Sequence, residues 1–236
     1  MRAQSHVVGV ALMLGLGVIA LGTLTLAIGT LVDSQAGSAD ATRVADDLDR
    51  AVQGAERTGI HRHQVRFSEG TLRSTDRTLR VLENGSVVEE VAVDALVFEN
   101  DDNRVTSLAG GVVREGGGAW FVTEPRVTHS ERNEVLVVSA PMLNASRFSI
   151  GGQGGVTKTI ETNVSHERID LGEGEYAVAI ETTTPRPFED FFAAHNASVQ
   201  RRQFAADDHE SVVARYPGVR QGYLVVHDLR LEVTDG

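Results

Sequence analysis

An uncharged, mainly apolar run extends from Val7 to Val32. As a helix rising 1.5 Å per residue, it would reach about 39 Å, more than the roughly 30 Å of a bilayer's hydrocarbon core. Past the run the pattern narrows to one stripe: Ala41, Val44, Ala45, Leu48, Ala51, Val52 and Ala55 recur at helical spacing. Asp46, Asp47, Asp49, Arg50, Glu56 and Arg57 are assigned to the opposite face, and Gly59 supplies a stop. The spacing predicts one helix over residues 4–58, apolar all round at first and one-sided later, with a loosened point near Gly37-Ser38.

Beyond Gly59 the period shifts to alternation. Residues 78–82 and 87–91 flank Asn84-Gly85, the dipeptide of a tight type I′ hairpin. Further strands are predicted around residues 63–67, 95–98, 104–108, 119–123, 135–139, 156–163, 176–181 and 223–233, separated by Gly- and Asp/Asn-rich turns. Gly151-Gly152-Gln153-Gly154-Gly155 reads as a flexible stretch and a candidate subdomain joint. A short helix is predicted over residues 187–195, with proline in its first turn and Phe188, Phe191 and Phe192 inward. The expected fold class is α+β: a long N-terminal hydrophobic helix followed by a mainly antiparallel, sandwich-like extracellular domain. The expected organisation is a leader at 1–3, a transmembrane or filament helix at 4–58 and a β-rich domain at 59–236.

The flanks of the apolar run set an orientation. Arg2 stands before it, while Asp33, Asp40, Asp46, Asp47 and Asp49 follow. The positive-inside bias therefore puts the N-terminus in the cytoplasm and the rest outside, a single-pass arrangement in the cell membrane. The run exceeds the apolar core of a conventional secretory signal. Within it, Ala11, Gly15, Gly22 and Gly29 recur roughly on one face, where small residues let helices approach closely. The bland reading of that stripe is the general abundance of glycine in such helices.

The opening residues, Met1 to Gly15, resemble the start of archaeal type IV pilin-like proteins, haloarchaeal ones in particular: a short basic leader, a small residue, then a Val/Gly-rich apolar helix. The resemblance implies a class III signal peptide, read at Arg2 and Ala3 by a prepilin peptidase and cut to leave Gln4 as the first mature residue. It also implies that the apolar helix is retained, as an anchor and as the core of a filament. The leader here has a single arginine, and His6 stands where such sequences often carry proline.

Composition sharpens this reading. The chain of 236 residues has no cysteine, which excludes disulfides and thiolate metal sites. Its net charge is −11 and Lys158 is its one lysine, a balance that suits high salt and argues against nucleic acid as a partner. Four of the seven asparagines, Asn84, Asn144, Asn163 and Asn196, lie in Asn-x-Ser/Thr sequons, candidates for N-glycosylation on an exported domain. His61 and His63 would share one side of a strand, as would suit a metal pair, but their plainer reading is a polar strand entry. Asp207-Asp208-His209-Glu210 lacks the ligand order of a calcium loop and reads as a solvated acidic turn. Trp120 and Phe121 read as core.

No Gly-x-Ser-x-Gly elbow, His-Glu-x-x-His helix or phosphate-binding Gly-x-x-x-x-Gly-Lys loop occurs in the sequence. No catalytic residue, cofactor or metal is therefore expected, although serines, histidines and aspartates leave a tethered hydrolase open. The function expected is that of a pilin-like surface protein in filament assembly or adhesion. Its partners would be the membrane, the prepilin peptidase, and itself or other pilins through the N-terminal helix. The alternative is a monomeric, single-pass membrane-anchored binding or envelope protein.

Overall fold

The computed structural model describes the backbone of residues 3–101 and 103–235; within these, the side chains of residues 3–12, 17, 20 and 22–34 stand outside the described ones. Helix α1 spans Ala3–Gln53, and a 3-10 turn, Gly54–Glu56, leads into the first strand. The body consists of β1 (Gly59–Thr75), β2 (Thr78–Glu83), β3 (Ser86–Ala92), β4 (Ala95–Asn100), β5 (Asn103–Leu108), β6 (Gly111–Glu115), β7 (Ala119–Thr123), β8 (Val127–Ser130), β9 (Val135–Met142), β10 (Ser149–Gly174), β11 (Tyr176–Glu181), helix α2 (Pro185–Ala194), β12 (Ser198–Arg202), β13 (Ser211–Arg215), β14 (Arg220–Asp228) and β15 (Glu232–Asp235).

Two expectations are corrected at this level. The fold is mostly β, and among the described residues no helix is long and apolar enough to cross a membrane. That overturns both the long hydrophobic helix of the expected fold class and the single-pass membrane anchor carrying an extracellular domain. The physical reason lies in what the described part of α1 does with its apolar residues. Ala41, Val44, Ala45 and Leu48 form one stripe spent entirely on the sheet, and Arg43, Asp46 and Arg50 lie exposed. The apolar run of residues 7–32 falls largely on side chains outside the described residues.

The strands form two sheets. The larger has the order β7-β6-β5-β4-β1-β10-β14-β9-β8, with β15 also pairing with β10. The smaller runs β12-β13-β11-β2-β3. All pairs are antiparallel except β14 with β9. The C-terminal half of α1 covers one face of the large sheet, and the small sheet with α2 covers the other, giving three layers.

Strand β4 shows how the sequence serves both interfaces. Leu96 and Phe98 point into the cluster beneath α1, while Ala95 and Val97 point into the cluster between the sheets. A strand buried on both sides reads as continuously apolar, as Ala-Leu-Val-Phe does. The β2–β3 hairpin turns at Asn84-Gly85, with φ of 50° and 84°, the two positive values that turn demands. The glycine-rich stretch Gly151–Gly155 lies inside β10, where Gly151, Gly152 and Gln153 oppose Thr71, Gly70 and Glu69 of β1.

Candidate functional site

The most distinctive construction is α1 and its mounting. Beneath the helix, Ala41, Val44, Ala45, Leu48 and Ala55 meet Val65, Phe67 and Leu72 of β1, Leu96 and Phe98 of β4, Val105 of β5 and Val112 of β6. Alanines at 41 and 45 let the helix backbone lie close to the sheet, as Ala55 does for the 3-10 turn that follows. Large side chains from β1 and β4, including the tilted Phe67–Phe98 pair at 5.1 Å, fill the space below.

Polar side chains then bolt the helix down. Asp40 is 4% exposed and Asp47 6%. Asp40 Oδ2 accepts the backbone N–H of Ser68 at 2.6 Å and of Glu69 at 3.3 Å, and Oδ1 accepts the Ser68 hydroxyl at 3.2 Å. These donors sit where the β1–β10 register shifts between Phe67 and Glu69, so the carboxylate satisfies N–H groups that an irregular ladder leaves over. Asp47 Oδ2 accepts the N–H of Arg66 at 3.2 Å. Asp49 accepts the Thr123 hydroxyl at 2.6 Å. Arg114 of β6 donates to the Ser38 carbonyl and hydroxyl and to Thr42 at 2.6–3.0 Å. Asn100 donates to the Gly37 carbonyl at 3.1 Å. Asp47 therefore faces the sheet rather than solvent, contrary to the simple two-faced reading of the helix.

Toward the N-terminus the same helix presents the opposite character. Met13, Leu14, Leu16 and Val18 are 62–79% exposed. At about 100° per residue these positions are spread around the helix rather than gathered on one side. A Cβ built on Gly15 would have nothing within 4 Å, so the backbone there is open to close approach.

The other residues singled out from sequence are placed as follows. Arg2 and the side chains of Ala3, Gln4, Ala11, Gly22 and Gly29 lie outside the described residues. Asn84, Asn144, Asn163 and Asn196 are all exposed, in the β2–β3 turn, after β9, on β10 and after α2 respectively. Asn144 donates to Asp228 and Asn196 to Glu131, each at 2.9 Å. Trp120 is exposed on β7, with Arg114 over its ring at 5.6 Å, while its neighbour Phe121 packs edge-on against Phe188 at 4.9 Å. Trp120 is thus not core.

His61 and His63 lie together near Gly54 at the end of α1, and His61 Nε2 is 2.7 Å from the Arg57 carbonyl. Burial, aided by His61 and Arg50, holds His63 below the usual histidine range. Asp207 gives both oxygens to Arg80 at 2.6 Å, a bidentate pair buried on both sides. Its role is to close the β12–β13 loop over β2, where Phe204 also stacks on Arg80 at 4.5 Å. Among the described residues no group of three or more His, Cys, Asp or Glu side chains could hold a metal ion.

A serine–histidine pairing arises that no local motif announces. Ser139 Oγ on β9 is 2.8 Å from His227 Nε2 on β14, and His227 Nδ1 is 2.8 Å from His166 Nδ1 on β10. Burial first, then His166 and Arg126, pushes His227 down to about 4, so its ring is neutral at pH 7. The three side chains stand side by side on adjacent strands, and Ser139 is buried. This arrangement satisfies buried polar groups across the sheet.

No curated protein and no solved structure matches the chain. A family model does match, over residues 2–232, which takes in the apolar segment, all of α1, both sheets and the start of β15. The chain belongs to DUF7289, a family of unknown function.

Proposed function

We propose that this chain is a pilin-like subunit that polymerises through the N-terminal part of α1, with the β body carried on the other end of the same helix. The observation that carries this reading is the contrast within α1. One end is fastened to the sheet by a packed stripe and buried carboxylates; the other exposes Met13, Leu14, Leu16 and Val18 on more than one side. Large apolar side chains standing exposed on several sides of a helix favour being covered by a partner. Copies of the same helix supply a surrounding of matching length and chemistry, and Gly15 leaves room for them to come close. The resemblance of residues 1–15 to archaeal type IV pilin-like proteins agrees with this reading. On it, Arg2, Ala3 and Gln4 form a processing site cut by a prepilin peptidase before Gln4. The four exposed sequons would lie on the body, away from the helix bundle.

Burying one leucine-sized side chain contributes about 1.5–3 kcal/mol. The double substitution Leu14→Glu with Leu16→Glu therefore removes at least about 3 kcal/mol per subunit, more than a hundredfold in association. Sedimentation velocity without detergent is expected to show large assemblies for the parent chain and single subunits with an unchanged β circular-dichroism spectrum for the variant. A parent chain that sediments as one copy at every concentration removes the reading, as does a variant that assembles equally well. N-terminal sequencing of the native protein tests the processing step: a start at Gln4 supports it and an intact Met1 opposes it.

A further inference from the structure

A cavity of about 470 Å³ opens where β1 passes from the large sheet to β2 of the small one. Its wall is rich in cations although the chain's net charge is −11. Arg73, Arg77, Arg104 and Arg147 all line it, with Asp76 and Asp208 as the acidic residues of the wall. Two other hollows on the body have acidic walls, one lined by Glu69, Glu99 and Asp101 and the other by Asp40, Glu69 and Asp101, while a third at the end of α1 carries Arg50, Arg57 and Arg126 beside Glu56.

Three of the four arginines are held by carboxylates. Arg73 pairs with Glu99 at 3.2 Å, Arg104 lies 3.4 Å from Glu99 and 3.8 Å from Glu115, and Arg147 pairs with Asp76. Arg77 is different. It is 7% exposed and forms no ion pair among the described residues; its guanidinium donates to the carbonyl of Asp76. Glu181, the carboxylate that acts on it most, already accepts the N–H groups of Thr78 and His209. Burial first, with Arg104 and Arg73 adding to it and Glu181 and Asp208 only partly offsetting it, holds Arg77 below the usual arginine range. One more polar atom on the same wall, Thr75 Oγ1, is buried without a hydrogen bond, while Arg104 Nε faces the Glu99 carboxylate at 3.4 Å. A buried donor left without an acceptor costs about 1–3 kcal/mol, more when charged.

We infer that this cavity is a binding site for an oxyanion, gripped by Arg77 with the Thr75 hydroxyl as a further donor, the carboxylate-held Arg73 and Arg104 adding positive charge to the wall. Guanidinium groups match the planar and tetrahedral faces of carboxylate, sulfate and phosphate. The volume falls in the range of small-molecule sites and exceeds the needs of a bare ion, so the same grip suits an oxyanion carried on a small organic group such as a sugar. Glu99 and Glu115 fix the outer arginines in place, while Arg77 remains for the ligand.

Calorimetric titration of the full chain with inorganic phosphate, and separately with glucose 6-phosphate, tests this at constant ionic strength so that screening is unchanged. Saturable binding of one ion per chain is expected. Arg77→Gln should weaken it at least tenfold, and Arg132→Gln, on the exposed β8–β9 turn, should leave it unchanged. Tighter binding of the sugar phosphate assigns a carried oxyanion, and equal binding a free one. In the unaltered chain, the Nε–H resonance of Arg77 should move saturably with added phosphate, which keeps the test independent of whether the variant folds. Absence of saturable binding of both probes overturns the inference, as does an Arg77→Gln chain that binds equally well, or shifts confined to other arginines.

Discussion

Asp40 offers the sharpest test of how α1 is mounted. Asp40→Ala removes an acceptor that serves the Ser68 N–H at 2.6 Å, the Glu69 N–H at 3.3 Å and the Ser68 hydroxyl at 3.2 Å. A hydrogen bond to a charged acceptor is worth about 1.5–3 kcal/mol. Ser68 and Glu69 are exposed enough for water to replace part of the loss, so the expected cost is about 2 kcal/mol. With a urea slope of about 2 kcal/mol/M, the midpoint should fall by about 1 M at unchanged slope. Asp46→Ala is the control, since Asp46 is exposed on the same helix; it should stay within about 0.5 kcal/mol of the parent. Urea unfolding followed by circular dichroism, in the Leu14→Glu, Leu16→Glu background that keeps subunits apart, gives both numbers. If the two alanine variants unfold at the same urea concentration, the carboxylate is not a fastening and the reasoning is refuted.

Two further outcomes follow from single sites. Gly70 has φ of +135°, and a Cβ there would sit 2.8 Å from the Glu99 carbonyl and from the Phe98 ring; Gly70→Ala should cost more than about 2 kcal/mol in the same unfolding assay. His227 is pushed down to about 4 in the folded chain, while the unfolded chain takes up its proton near pH 6.5. Its contribution is therefore intact above pH 6.5 and is lost as the pH falls toward 4, so stability measured from pH 7.5 to 4.5 should decline more steeply in the parent than in His227→Gln.

The parts of the fold written into short stretches were legible. The stripe from Ala41 to Ala55 is buried throughout because helical periodicity is a local property. The Asn84-Gly85 hairpin and the inward Phe188, Phe191 and Phe192 of α2 follow from turn and helix chemistry within a few residues. What escaped depends on distant partners. Asp47 looked like solvent-facing charge because its partner, the Arg66 N–H, is nineteen residues away on a strand. Gly151–Gly155 has a linker's composition, yet pairing with β1 draws it into the longest strand. Trp120 looked like core by residue type, but β7 ends its sheet and leaves the ring exposed. Arg77, Arg104 and Thr75 come together only through the β1–β4–β5 ladders, so no motif marks their cavity. The membrane anchor failed for a related reason: the length and apolarity of residues 7–32 do not by themselves specify what surrounds them.

Self-assembly through α1 is tested most directly by cross-linking, since the chain has no cysteine of its own. Single variants Leu16→Cys and Asp46→Cys place one thiol on the exposed apolar stretch and one on the solvent face of the mounted half. Under mild oxidation, Leu16→Cys should convert to disulfide-linked dimers within the assembled material, while Asp46→Cys stays monomeric on the same gel. Equal cross-linking at both positions, or none at position 16, would contradict the account.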